Sequence, residues 1–189
     1  MSQDAALDDT RIARLARMID RPIVLVGLMG VGKSTVGRRL AAMLDRRFVD
    51  ADEAIEEAAR RSIPEIFDEF GEAYFRAGER RVIARLIEQA AGVIATGGGA
   101  FVDPDTRALI LDSAIAVWID CDIDTLVERT ARRNTRPLLK GGDPKAILTR
   151  LAAERRACYA EAPVRVTSVN GPHADTARAI LAAIEEHVG

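Results

Sequence analysis

Gly27-Leu28-Met29-Gly30-Val31-Gly32-Lys33-Ser34-Thr35 fits the pattern G-x-x-x-x-G-K-[ST], and the residues around it decide how the chain folds. Ahead of it, Ile23-Val24-Leu25-Val26 is a short, largely β-branched apolar run of the kind that makes a buried strand. Behind it, residues 35–44 carry apolar side chains at helical spacing. A strand, a glycine loop and a helix N-terminus in that order form a phosphate cradle. The glycines let backbone N–H groups approach the phosphates, and the helix end adds positive potential. Lys33 reaches the β- and γ-phosphates, and Ser34 is placed to ligate Mg²⁺. A glycine-rich turn alone does not explain this context. The chain reads as a binder of a nucleoside triphosphate.

Outward from the loop, strand-like and helix-like segments alternate. Residues 47–50 read as a second strand, followed by a helix over about 52–61. Ser62-Ile63-Pro64-Glu65 has capping-box spacing with proline in the first turn, so a new helix starts there, and a long helical segment follows over about 71–90. Residues 92–96 form a third strand that runs into Gly97-Gly98-Gly99. A helix over 104–111 leads to a fourth strand at 114–119. The next helix, 123–132, gives way at Asn134-Thr135-Arg136-Pro137, and 138–144, with Gly141-Gly142, reads as a mobile loop. A helix over 144–160, a fifth strand at 164–168 and a closing helix over 174–188 complete the chain. Before the first strand, Ile12, Leu15, Ala16 and Ile19 repeat at helical spacing behind Asp9-Thr10, which reads as the cap of an extra amphipathic helix in residues 1–20. Five apolar strands alternating with helices predict an α/β fold of three layers, a parallel sheet covered on both faces.

Composition sets the bounds. At 189 residues the chain suffices for one domain and is short for two. With 48% hydrophobic but only 4% aromatic residues, the expected core is aliphatic. A formal charge of −2 argues against a large nucleic-acid footprint. Cys121 and Cys158 have neither the spacing nor the neighbouring histidine of a metal site, and they fit free thiols in a reducing cytosol. The acidic start Met1-Ser2-Gln3-Asp4 does not read as a signal peptide, and no run approaches the roughly 18 apolar residues of a membrane span. A soluble cytoplasmic protein is expected, with no membrane partner.

Several polar residues fall where strands end, which in a parallel sheet is the ligand crevice. Asp50 and Asp52 lie two apart on an extended chain and so should point the same way, one to hold Mg²⁺ directly or through water and one to accept a hydroxyl proton. Asp52 also reads as a helix cap. Asp120, after the fourth strand, is a weaker metal candidate and reads better as the cap of the following helix. Gly97-Gly98-Gly99-Ala100 should face the phosphate loop and offer backbone N–H groups to a close ligand. Arg76, Arg129, Arg136 and Arg155 are candidates for two-pronged contacts to carboxylate or phosphate.

Taken together, the phosphate loop, Asp50-x-Asp52, Phe75-Arg76-x-x-Glu79, Gly97-Gly98-Gly99-Ala100, Arg136-Pro137-Leu138-Leu139 and Arg155-x-x-x-Tyr159 resemble the shikimate kinase family over residues 22–188. The phosphate loop is widely shared; the ordered set is specific. The resemblance implies a P-loop kinase fold of the nucleoside-monophosphate-kinase-like type, sheet order 2-3-1-4-5, acting as a monomer on ATP and shikimate. The implied reaction is phosphorylation of the shikimate 3-hydroxyl on the route to chorismate. It also implies roles. Gly30, Val31, Gly32, Lys33, Ser34 and Thr35 would hold the phosphates, and Ser34 and Asp50 would hold Mg²⁺, the latter through water. Asp52 would bind the ring hydroxyls and serve with Lys33 and Arg136 in catalysis. Arg76, Arg155 and the backbone at Gly98 and Gly99 would hold the substrate carboxylate. Arg129 would lie against adenine, and Arg136 would arrive on a lid over about 134–143. Ala157-Cys158 stands where the family usually has Pro-Leu, and the segment 168–172 lacks a basic residue beside adenine. No Asn/Thr-Lys-x-Asp guanine reader follows a late strand, which sets aside a GTP-driven switch. Intact Lys33, Asp50, Asp52 and Arg136 set aside a catalytically dead module.

Overall fold

All four side chains of strand β1 (Ile23–Val26) are fully buried, so both faces of the sheet around it are covered. The computed structural model describes residues 7–89, 92–131, 142–169 and 171–189. Among them, β1 is the centre of a five-stranded sheet with β2 (Phe48–Asp50), β3 (Val93–Ala95), β4 (Ile115–Asp120) and β5 (Val164–Thr167), in the order β2-β3-β1-β4-β5. Every pairing is parallel. Asp50 pairs with Ala95 and Ala95 with Leu25, so the carboxyl ends of β2, β3 and β1 finish close to one level, while β4 runs on past Val117 to Asp120. Loops leaving that edge share a crevice, as the sequence reading expected. Edge strand β5 alternates buried and exposed residues, the pattern of a strand wetted on one face.

Helices α1 (Asp9–Met18), α2 (Lys33–Met43) and α8 (His173–Val188) pack together, with α8 lying on both α2 and β5. Helix α5 (Pro104–Ser113) bridges α4 (Ile63–Glu88) and β4, while α6 (Ile123–Ala131) packs on α7 (Pro144–Tyr159). The core is aliphatic apart from Phe75, Phe101, Trp118 and Tyr159.

Local chemistry sets the element ends. Ser62 and Glu65 form the predicted capping box: the Glu65 backbone N–H donates to Ser62 Oγ, and the Ser62 N–H donates to Glu65 Oε2 at 2.7 Å. The two helices expected on either side of residue 71 run on as α4, broken where Gly71 takes φ 82° and ψ 174°. Three caps differ from expectation. Helix α1 is capped by Asp8, which accepts from the Arg11 N–H, rather than by Asp9-Thr10. Helix α3 (Ala51–Ala59) is capped by Asp50, not Asp52, because Asp50 still has extended backbone and its Oδ1 receives the Asp52 and Glu53 N–H groups. Ahead of α6, Asp122 takes the cap contact, accepting from Thr125 N and Oγ1, whereas Asp120 is still in β4 and pairs with Arg165 at 2.6 Å.

The extra N-terminal helix is tied down at its end. Arg46 donates to the backbone carbonyls of Ala16 and Ile19 at 2.8 and 2.6 Å, and Arg11 pairs with Glu185 of α8. Among the described residues no helix is long and apolar enough to cross a membrane.

Candidate active site

The phosphate loop joins β1 to α2 and lies over the carboxyl edge of the sheet. Gly27 has φ 139°, and a Cβ there would come within 2.5 Å of the Ile119 carbonyl oxygen, so only glycine lets the loop cross β4 this closely. Gly32, at φ 96°, is the N-cap of α2 and turns the loop into the helix. Lys33 begins the helix only 9% exposed, and its Nζ donates to the carbonyls of Gly27 and Leu28 at 2.7 and 2.9 Å. The ammonium is thereby held inside the curl of the loop. Ser34 and Thr35 follow in the first turn, both half-buried, with Val31 buried beneath the loop and Gly30 against Thr130 and Leu126 of α6.

Asp50 and Asp52 do not point the same way. Helix α3 starts between them, so the extended-chain spacing does not apply. Asp50 turns toward the loop, where Ser34 Oγ donates to its Oδ2 at 2.6 Å. Asp52 turns toward the glycine triplet: a Cβ on Gly97 would stand 2.9 Å from Asp52 Oδ1. Burial pushes the Asp52 carboxyl above the ordinary carboxylate range, with the Asp50 charge adding to the rise and Lys33 and Arg76 opposing it. The Ser34–Asp50 pair is the part of the site that suits a hard divalent cation. Both donors are oxygens, and Mg²⁺ commonly takes one or two protein oxygens while phosphates and water supply the rest. Among the described residues no cluster of three or more His, Cys, Asp or Glu offers a full protein cage.

Across the crevice, Gly97, Gly98 and Gly99 gather the arginines. A methyl group on Gly99 would overlap the Arg76 guanidinium, and one on Gly98 would stand 3.3 Å from Arg155 Nη1. The same Gly98 position is 3.4 Å from the Met29 backbone nitrogen, so the triplet abuts the phosphate loop. Arg76 comes from α4 and Arg155 from the end of α7; folding brings them to adjacent glycines. Arg76 Nη1 bonds Glu79 Oε2 at 2.6 Å, and Glu72 adds a longer contact to Nε. Glu79 is 1% exposed; burial raises its pKa, and Arg76 works against that rise. Glu79 is a partner of the site that the sequence signals only through its i, i+3 spacing from Arg76. Tyr159 is a second residue without an assigned role: buried, it donates to the Gly98 carbonyl at 2.5 Å.

On the far side of the loop, Arg129 spans three elements. Its guanidinium donates to the carbonyls of Val31 and Val169 and to Ser168 Oγ, at 3.1 to 3.2 Å. These contacts hold it beside the phosphate loop and the turn after β5. His173, at the start of α8, packs against Gly32. Arg136 and most of the expected lid, 134–143, lie outside the described residues.

The geometry is therefore a phosphate loop, a metal-competent oxygen pair, a half-buried carboxylate of raised basicity and two arginines in one crevice. A family model described as shikimate kinase matches residues 29–185. This chain belongs to the shikimate kinase family. The shikimate kinase of Novosphingobium aromaticivorans is 59% identical, over 98% of this chain and 99% of its own. That of Caulobacter vibrioides is 54% identical over 91% of this chain and 86% of its own. Since the first match leaves out almost none of the chain, the residues of helix α1 fall within it. Among solved structures, a shikimate kinase from Acinetobacter baumannii in complex with shikimate is 36% identical, covers 92% of this chain and 98% of its own, and superposes with a TM-score of 0.85. A gluconokinase from Sinorhizobium meliloti, 17% identical with a TM-score of 0.61, shares the fold.

Proposed function

We propose that this protein transfers the γ-phosphoryl group of ATP to the 3-hydroxyl of shikimate, giving shikimate 3-phosphate on the route to chorismate. Family membership supports the reaction class. The observation that carries the substrate is the meeting of Asp52, Arg76 and Arg155 on the three consecutive glycines 97–99, beside the phosphate loop. A ring acid with several hydroxyls presents a carboxylate for two arginines and a hydroxyl for one half-buried carboxylate.

In this reading residues 30–35 hold the phosphates of ATP through backbone N–H groups and Lys33, and Arg129 lies against adenine. Ser34 and Asp50 would hold Mg²⁺, Asp50 through water, and the bound ion would supply positive charge for the phosphates. Arg76, Arg155 and the backbone at Gly98 and Gly99 hold the shikimate carboxylate and so place the 3-hydroxyl at Asp52. Asp52 orients that hydroxyl and takes its proton. Its raised pKa suits the task, since a general base works best when its pKa approaches the working pH. Lys33, and Arg136 brought in by the segment 134–143, stabilise the transferring group; phosphoryl transfer asks mainly for positioning and charge neutralisation. The chain acts as a single domain and a monomer. A cytoplasmic location suits its two free thiols.

A coupled ADP-release assay offered shikimate, quinate, gluconate and nucleoside monophosphates in turn tests the reading. Turnover should require shikimate. Comparable turnover with gluconate or a nucleoside monophosphate would replace it with another small-metabolite kinase.

A further inference from the structure

The two arginines at the glycine triplet are held by different means. Arg76 is gripped by carboxylates, Glu79 and Glu72. Among the described residues no ion pair engages Arg155; what lies against it is a phenol. Tyr159 follows Arg155 by one helical turn on α7, so the two side chains share a face. The Tyr159 hydroxyl donates to the Gly98 carbonyl at 2.5 Å, a contact across 61 residues of sequence, and the Arg155 guanidinium sits beside that same hydroxyl. Burial raises the phenol's pKa and the neighbouring Arg155 opposes the rise, so it remains a neutral donor at physiological pH. The ring is 2% exposed and packs 6.0 Å from Trp118 of β4, which leaves the hydroxyl little freedom to move.

We infer that Tyr159 is a positioning residue for the substrate carboxylate, its hydroxyl fixing both the Gly98–Gly99 peptide and the Arg155 guanidinium. A trans peptide is planar, with its carbonyl and the following N–H directed oppositely. Tying down the Gly98 carbonyl therefore also fixes the direction of the Gly99 N–H. Arg155, a long side chain with many rotamers, gains a fixed neighbour without a competing negative charge. Its charge thus stays available to an incoming carboxylate, and less ordering is left to be done on binding. A carboxylate in place of Tyr159 would hold the arginine but spend that charge.

The inference rests on Arg155 and Gly98 serving the shikimate carboxylate, and its test separates the two readings. Tyr159→Phe keeps the ring and removes only the donor. The expected result is an increase of about tenfold in the KM for shikimate, the scale of one lost hydrogen bond in a charged site, with the KM for ATP unchanged. In an Arg155→Ala background, calorimetric titration with shikimate should show that Tyr159→Phe adds little further loss, because both changes disable one device. Ile184→Val, fully buried in the second half of α8, is the packing control: it should lower Tm and leave the KM for shikimate alone. An unchanged KM in Tyr159→Phe, equal rises for ATP and shikimate, full additivity with Arg155→Ala, or loss of the fold would each overturn the role given to Tyr159. A wild-type enzyme without shikimate turnover would instead sink the substrate reading.

Discussion

Ser34 Oγ donates a 2.6 Å hydrogen bond to Asp50 Oδ2, joining the start of α2 to the end of β2 across the intervening strand β3. The same Asp50 caps α3 through its other oxygen. One carboxylate thus ties the phosphate loop to the helix that carries Asp52, so the nucleotide side and the acceptor side of the crevice are set relative to each other by a single residue.

Lys33→Ala and Asp52→Asn should each lower turnover by at least ~10²-fold, the scale of losing one preorganised stabilising group. Both variants should keep native circular dichroism. Near wild-type turnover in either would remove its residue from the catalytic set.

The Asp52 pKa also makes a stability prediction. Its folded-state value lies above the unfolded one, so the native state binds that proton more tightly. The associated stability is present at low pH and is lost as pH rises through the folded pKa. At neutral pH the charged carboxylate is a liability, and Asp52→Asn should therefore raise Tm while lowering activity. The Tm difference should shrink as pH falls below the folded pKa of Asp52. In the wild type, kcat/KM for shikimate should fall on acidification through a limb above the ordinary aspartate range. A limb at the usual position, or an Asp52→Asn protein less stable at neutral pH, would contradict the assignment.

Gly99→Ala probes the arginine side. The added methyl meets the Arg76 guanidinium, the movable end of a long side chain, so the fold should survive while Arg76 is displaced. Gly99→Ala, Arg76→Ala and Arg155→Ala should each raise the KM for shikimate far more than that for ATP, since binding lost away from the reacting bond appears mainly in KM. Parallel rises in both KM values would point to a general structural defect.

Arg136→Ala should depress kcat with little change in Tm or in the KM for shikimate, if its guanidinium acts on the transferring phosphoryl group. Steady-state kinetics with both substrates varied decides this. A pure KM effect would move Arg136 out of the catalytic set.

Both thiols should react with a thiol reagent after denaturation without prior reduction, because Cys121 and Cys158 are free. In the native protein Cys121 should react slowly, since it is buried and burial raises its pKa. A titration that finds no thiol until reductant is added would contradict the structure.

Much of the architecture can be read directly from the chain. The phosphate loop between a β-branched run and an amphipathic helix, the five apolar runs and the Ser62 capping box are local patterns, and local patterns are governed by nearest-neighbour chemistry. Single-residue ends were less legible: Asp8, Asp50 and Asp122 cap helices where Asp9, Asp52 and Asp120 were expected. Aspartates one or two residues apart carry the same side chain, and only the backbone angle at the turn selects which of them caps. The strand order followed from the resemblance to a known family rather than from periodicity. Nothing in the spacing of Arg76, Gly97-Gly98-Gly99, Arg155 and Tyr159 shows that they meet; parallel crossovers bring them to one edge of the sheet. The division of Asp50 and Asp52 between the phosphate loop and the glycine triplet likewise arises only once α3 begins between them. The sequence by itself determined the element order and the phosphate chemistry, because both reside in contiguous residues. Tertiary structure alone decided which side chains share the crevice and with what basicity, because burial and long-range charge exist only after the sheet has assembled.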